Sequence, residues 1–164
     1  MVRLLVSLAF LIACNIAQAQ GTMQSRHTGL VGGYSAELRV SQHRHFTVYA
    51  QGFVIRNGDT LVHTVFLTEG TNQRPAMRVD SAWHLGRELH WDAVRPDRRC
   101  SGFRCVRNLG VLTFSGGEFN ALSATGFDLR LIGSQGPIDL VIPAEIFAQA
   151  STEAARVIGA SLQY

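Results

Sequence analysis

Lysine is absent from this sequence; all 15 of its basic residues are arginine. Its permanent side-chain cations are therefore all guanidinium forks, which suit phosphate and carboxylate bidentately. Charge of any sign is sparse, at 16% of residues against 46% apolar, which excludes a disordered chain. No apolar run reaches the ~20 residues a membrane-spanning helix needs. No N-x-[ST] sequon, P-loop, G-x-G-x-x-G or H-E-x-x-H occurs. "GYSAE" (residues 33–37) approaches the G-x-S-x-G nucleophile elbow but lacks the second glycine and leads into a strand. Close acidic pairs on apolar strands are missing too, which leaves glycosidase chemistry without candidates. The net charge of +3 argues only mildly for a polyanionic partner.

What is present begins with an export leader over residues 1–19. Arg3 supplies the positive start, Leu4 to Ala13 the apolar stretch, and Ala17 to Ala19 the small residues of a cleavage site. Leu11 to Cys14, "LIAC", also has the form of a bacterial lipobox whose cysteine is acylated. Both readings stand, and both place the chain outside the cytoplasm, periplasmic or secreted, where thiols oxidise. Residues 20–33, polar and glycine-rich, read as a flexible lead-in, and 34–164 as a single domain.

Short alternating runs with frequent turn signals follow. They predict an all-β fold, an antiparallel immunoglobulin-like β-sandwich. Asn57-Gly58 lies between two β-rich runs and signals a hairpin. A two-residue turn there sets Val54 opposite Leu61, Gly52 opposite His63 and Ala50 opposite Val65. On that register His63 is a core histidine filling the space beside Gly52. Two helices interrupt the pattern. One opens with a Ser115/Glu118 capping box and stops at Gly126. The other is a C-terminal helix over 143–162, with Ile146, Phe147, Ala150, Val157, Ile158 and Leu162 on one stripe.

The most distinctive stretch is "RRCSGFRCVR", Arg98 to Arg107. A structural zinc site wants four ligands, and a redox catalyst wants C-x-x-C beside a βαβ unit; neither is present. Cys100 and Cys105 bracket "SGFR" as facing residues of a tight hairpin would, so they are expected to form a disulfide. Between 92 and 107 five arginines stand against Asp92 and Asp97, an excess equal to the charge of the whole chain. Two readings stand: a solvated hairpin that blunts a sheet edge, or an anion- or partner-binding loop made by Arg98, Arg99, Arg104 and Arg107. The partner would be an anionic envelope component or another protein. Neither nucleic acid nor a cofactor is implied.

His84 and His90 flank "LGRE", with Trp83 and Trp91 just outside. A three-residue loop at Gly86-Arg87-Glu88 would set His84 opposite His90 with Asp92 on the same face, a trio able to hold iron or zinc with open positions. A metal-dependent enzyme on those residues is the alternative function, and a two-residue turn would scatter the set. A third option is a structural envelope lipoprotein acylated on Cys14. His43 and His45 lie too far along their strand to join His63.

From Met77 to Ala150 the order of features resembles the C-terminal part of the invasion-associated locus B family of exported bacterial proteins. The matching elements are "RVDSAWHLGRELHW", the cysteines of "CSGFRC", the helix "EFNAL" with its following glycine, and "IPAEIFAQA". The chain departs from that pattern at Ile146-Phe147, where a Gly-Phe step would stand, and in lacking an earlier cysteine. The resemblance implies an exported β-sandwich without catalytic residues, linked to envelope or host interaction.

Overall fold

The computed structural model describes residues 20–25, 28–42, 47–70, 77–94, 98–101 and 104–161; the side chains of 42, 98–101, 104, 160 and 161 are outside that description. The leader, Cys14, His43 and His45 therefore fall outside the described residues. The fold is mostly β, built as two antiparallel sheets with two helices. The strands are β1 (Gly21–Gln24), β2 (Val31–Tyr34), β3 (Leu38–Gln42), β4 (Thr47–Asn57), β5 (Thr60–Gly70), β6 (Val79–His84), β7 (Arg87–Leu89), β8 (Trp91–Ala93), β9 (Arg98–Ser101), β10 (Arg104–Phe114), β11 (Phe127–Gly133) and β12 (Gly136–Ile142). Helix α1 covers Gly116–Thr125 and α2 covers Ala144–Ser161.

Three long strands organise the larger sheet. β5 lies between β4 and β10, and each of those carries two short strands in tandem on its far side: β2 and β3 on β4, β8 and β9 on β10. The smaller sheet runs β12-β11-β6-β7. Alternation along β4 buries Val48, Ala50, Gly52 and Val54, and one apolar cluster joins Val48, Ala50 and Val54 to Leu129, Leu131 and Leu140 of the smaller sheet and to Phe147 of α2. No helix among the described residues is long and apolar enough to cross a membrane.

The flexible lead-in expected over 20–33 is corrected: the stretch holds β1 and β2, and Val31, Gly32 and Gly33 are buried. Three of its four glycines, Gly21, Gly32 and Gly33, sit in close contacts. A Cβ on Gly33 would lie 2.1 Å from the Ala154 amide nitrogen, so α2 rests directly on the β2 backbone. Gly52 does the same one strand away, where a Cβ would come within 2.9 Å of the Ile146 carbonyl oxygen. Beside this notch the buried Ser35 hydroxyl accepts the Gly52 N–H at 2.9 Å, and the Ala36 N–H donates to Gln149 of α2 at 3.0 Å.

The first hairpin keeps its expected faces with a different register. Gly58 (φ +60°) and Asp59 are its turn residues, so Asn57 pairs with Thr60, Val54 with His63 and Gly52 with Val65. Glycine at the first central position is the type II′ preference. The partners slip by two residues, and a slip of two preserves every inward and outward assignment. His63 is half-buried against the Phe119 ring, 5.5 Å between centroids, and burial holds its imidazole below the ordinary range.

Helix α1 begins as the sequence indicates. The Ser115 hydroxyl accepts the Glu118 N–H at 3.2 Å, and the Glu118 carboxylate accepts the Ser115 N–H at 3.0 Å, while Gly126 closes the helix by donating to the Leu122 carbonyl at 2.8 Å. α2 buries Ile146, Phe147 and Ala150 as expected; the face continues through Ala154, with Val157 and Ile158 half-buried. Phe119 of α1 and Phe147 of α2 meet edge to face at 5.0 Å, with Phe114 of β10 within about 6 Å of both, so an aromatic contact joins the helices to the larger sheet.

Candidate functional site

The arginine stretch forms β9 and the start of β10. Arg98 is opposite Arg107, Arg99 opposite Val106, Cys100 opposite Cys105 and Ser101 opposite Arg104. Among the described residues β9 pairs with β10 alone, so the hairpin is an edge of the larger sheet. Of the disulfide expected between Cys100 and Cys105 the described residues show one end: Cys105 is disulfide-bonded, and Cys100, whose side chain lies outside the description, stands opposite it across the ladder. Main-chain pairing also holds the hairpin in shape.

The four arginines divide. Arg98, Arg99 and Arg104 are placed by their backbone on the edge hairpin. Arg107 has a different position: it is half-buried and faces Glu69 of β5 directly across the ladder. Glu69 is 1% exposed, and its Oε2 accepts the Met77 N–H at 3.2 Å. Burial raises the Glu69 carboxyl above the ordinary range; the Met77 N–H and then the Arg107 guanidinium oppose that rise. Arg107 Nη1 is itself buried with no hydrogen-bond partner among the described residues. Its charge acts through space on an internal carboxylate, which sequence reading missed. The available signal was weak: Glu69 continues the inward alternation of Val65 and Leu67.

The histidine trio is corrected in the same way. β6 turns into β7 through Leu85 (φ +47°) and Gly86 (φ +79°), a two-residue turn with both central residues at positive φ, so His84 pairs with Arg87 instead of His90. A slip of three residues exchanges the faces. His90 Nε2 lies 3.2 Å from Asp92 at an exposed position; His84 and His90 line one cleft, but no group of three metal-ligating side chains assembles among the described residues.

His84 belongs to another constellation. A cleft of about 530 Å³ opens between the β6–β7 hairpin, β10 and α1. Its apolar wall includes Leu112, Phe114, Leu122 and Phe127, residues of the main core or packed on it, so the cleft opens onto the core itself. His84 is stacked on Phe127 at 4.3 Å, and its Nδ1 is 2.6 Å from the Asp128 carbonyl oxygen. A carbonyl can only accept, so Nδ1 carries the proton and Nε2 is the nitrogen left for a ligand. Arg87, Glu88 and His90 on one side and Glu118 of α1 on the other line the same cleft. The Ser115 hydroxyl, the Ser115 N–H and then the Arg87 charge hold the Glu118 carboxyl below the ordinary range.

Compared with protein-family models, with curated proteins and with solved structures, the chain matches none. The functional reading therefore rests on the residues described above.

Proposed function

We propose that this chain is an exported, non-catalytic binding module of the bacterial cell envelope, periplasmic or secreted, that holds an anionic envelope component on its edge hairpin. The observation that carries this reading is where the arginines fall: Arg98, Arg99 and Arg104 all lie on the β9–β10 hairpin, at an edge where no further strand pairs among the described residues. Arg107 is removed from the contact set by its place opposite Glu69. Arginines carried on a paired hairpin recognise phosphate or carboxylate with little backbone ordering left to do on binding. The proposal extends to the fold, with the two sheets read as an immunoglobulin-like sandwich; core residues contributed by both sheets support it. The order of features over residues 77–150 supports kinship with the invasion-associated locus B family.

The test is binding to lipopolysaccharide micelles, with phosphatidylcholine vesicles as the uncharged-surface control. Arg98→Ala, Arg99→Ala and Arg104→Ala combined are expected to weaken binding by about tenfold or more, since hydrogen bonds to charged groups contribute about 1.5–3 kcal/mol each. The melting temperature of the triple variant is measured alongside, which separates a loss of binding from a loss of fold. An unchanged affinity in the triple variant removes the proposal.

A further inference from the structure

We propose that the cleft between the β6–β7 hairpin and α1 is a binding site for a small zwitterion with an apolar side chain, an α-amino acid or a dipeptide. The wall decides the body of the ligand. Phe114, Phe127 and Leu122 give an aromatic and aliphatic surface, Phe114 and Phe127 meeting edge to face at 5.4 Å. A core that opens to solvent through a cleft of about 530 Å³ has the size and character of a small-molecule site.

The rim decides the charges. Arg87, an exposed guanidinium on β7, supplies a bidentate donor for a carboxylate. Glu118, on α1, faces the same cleft as a carboxylate fixed in place, its Oε2 taking the Ser115 N–H at 3.0 Å and the Ser115 hydroxyl at 2.7 Å. That leaves Oε1 for an ammonium. His84 adds a second acceptor: Nδ1 is committed to the Asp128 carbonyl, and Nε2 of the neutral ring carries a lone pair. The stack on Phe127 holds the ring before a ligand arrives. A simple anion would meet Glu118 and Glu88, and a simple cation would meet Arg87. A molecule carrying both charges beside an apolar group satisfies the two sides together. This site uses none of the edge arginines, so it stands or falls independently of the envelope contact.

The test is a titration of the full protein, followed by the amide and side-chain resonances of His84, Ala121, Leu122 and Phe127. The ligands are L-leucine and L-leucyl-L-leucine, compared with N-acetyl-L-leucine, which lacks the ammonium, and L-leucinamide, which lacks the carboxylate. The zwitterions are expected to bind with Kd near about 1 mM or tighter, and each singly charged analogue about tenfold more weakly. Arg87→Gln, at an exposed position, should erase the preference for L-leucine over L-leucinamide without moving the melting temperature. His84→Phe keeps the stack on Phe127, removes the acceptor and should lower the preference for L-leucine over N-acetyl-L-leucine. The ranking of amino acid against dipeptide identifies which size the site takes. Equal affinity for zwitterions and singly charged analogues overturns the proposal, as does the absence of shifts at these resonances at about 10 mM ligand, tenfold above the expected Kd.

Discussion

Gly33→Ala is expected to destabilise the protein by about 3 kcal/mol or more, a fall in melting temperature of roughly 10 °C. The added methyl has nowhere to go. It would lie 2.1 Å from the Ala154 nitrogen and 2.5 Å from the Glu153 carbonyl carbon, both backbone atoms of α2, which no rotamer change can clear. The helix must lift from β2, and lifting it loosens Ile146, Phe147, Ala150 and Ala154, all in the core. It also separates Phe147 from Phe119, which faces the other helix at 5.0 Å. Thermal unfolding followed by circular dichroism measures the effect. Gly117→Ala is the control: nothing lies within 4 Å of a Cβ there, and the position is helical, so alanine should be neutral or stabilising by up to about 1 kcal/mol. Equal losses in both variants would mean that α2 does not rest on β2 as described.

Arg107→Ala should have an effect of similar size, with a pH dependence that identifies its cause. Arg107 acts on the buried Glu69 carboxylate through space, with no ion-pair contact between the two, so about 2 kcal/mol near neutral pH is the expected loss, less than for a contacting buried pair. In the folded protein the Glu69 carboxyl sits above the ordinary range, burial being the largest cause. The folded state therefore binds the proton more tightly than the unfolded chain does. Stability from this group is present on the acid side and is lost as pH rises through the window above the ordinary carboxylate pKa. Without Arg107 that window moves upward and the loss deepens, so the variant should approach wild-type stability in acid and diverge from it as Glu69 ionises. Glu69→Gln should abolish this part of the pH slope. Denaturant unfolding over a pH series checks both variants, and a pH-independent loss in Arg107→Ala would contradict the pairing with Glu69.

How much of this was legible in the sequence depended on how local each feature is. The Ser115/Glu118 cap could be read because its donors and acceptors are three residues apart. The faces of β4 and β5 could be read even though the turn begins at Gly58 instead of Asn57, since a shift of two residues preserves alternation. The β6–β7 hairpin failed by the same logic. Leu85 takes a positive φ that leucine disfavours, at a cost of about 1–2 kcal/mol, and the resulting odd slip removes the His84–His90 ladder pairing on which the trio rested. The role of Arg107 was hidden because its partner belongs to β5, far away in the chain, and only the β5–β10 ladder brings them together. The cleft was invisible for the same reason: its rim and wall come from the β6–β7 hairpin, β10, α1 and the start of β11. β1 and β2 look like lead-in in the sequence because glycine suggests freedom, whereas Gly32 and Gly33 are there to admit close contact.

The placement of the anion contact on the edge hairpin can be tested without any mutation, by hydrogen–deuterium exchange of the whole protein with and without lipopolysaccharide micelles. Added protection should concentrate in peptides covering residues 98–107, while β4 and β11, which are paired on both sides, stay unchanged. Protection confined to some other surface, with residues 98–107 exchanging as fast as in the free protein, would contradict it.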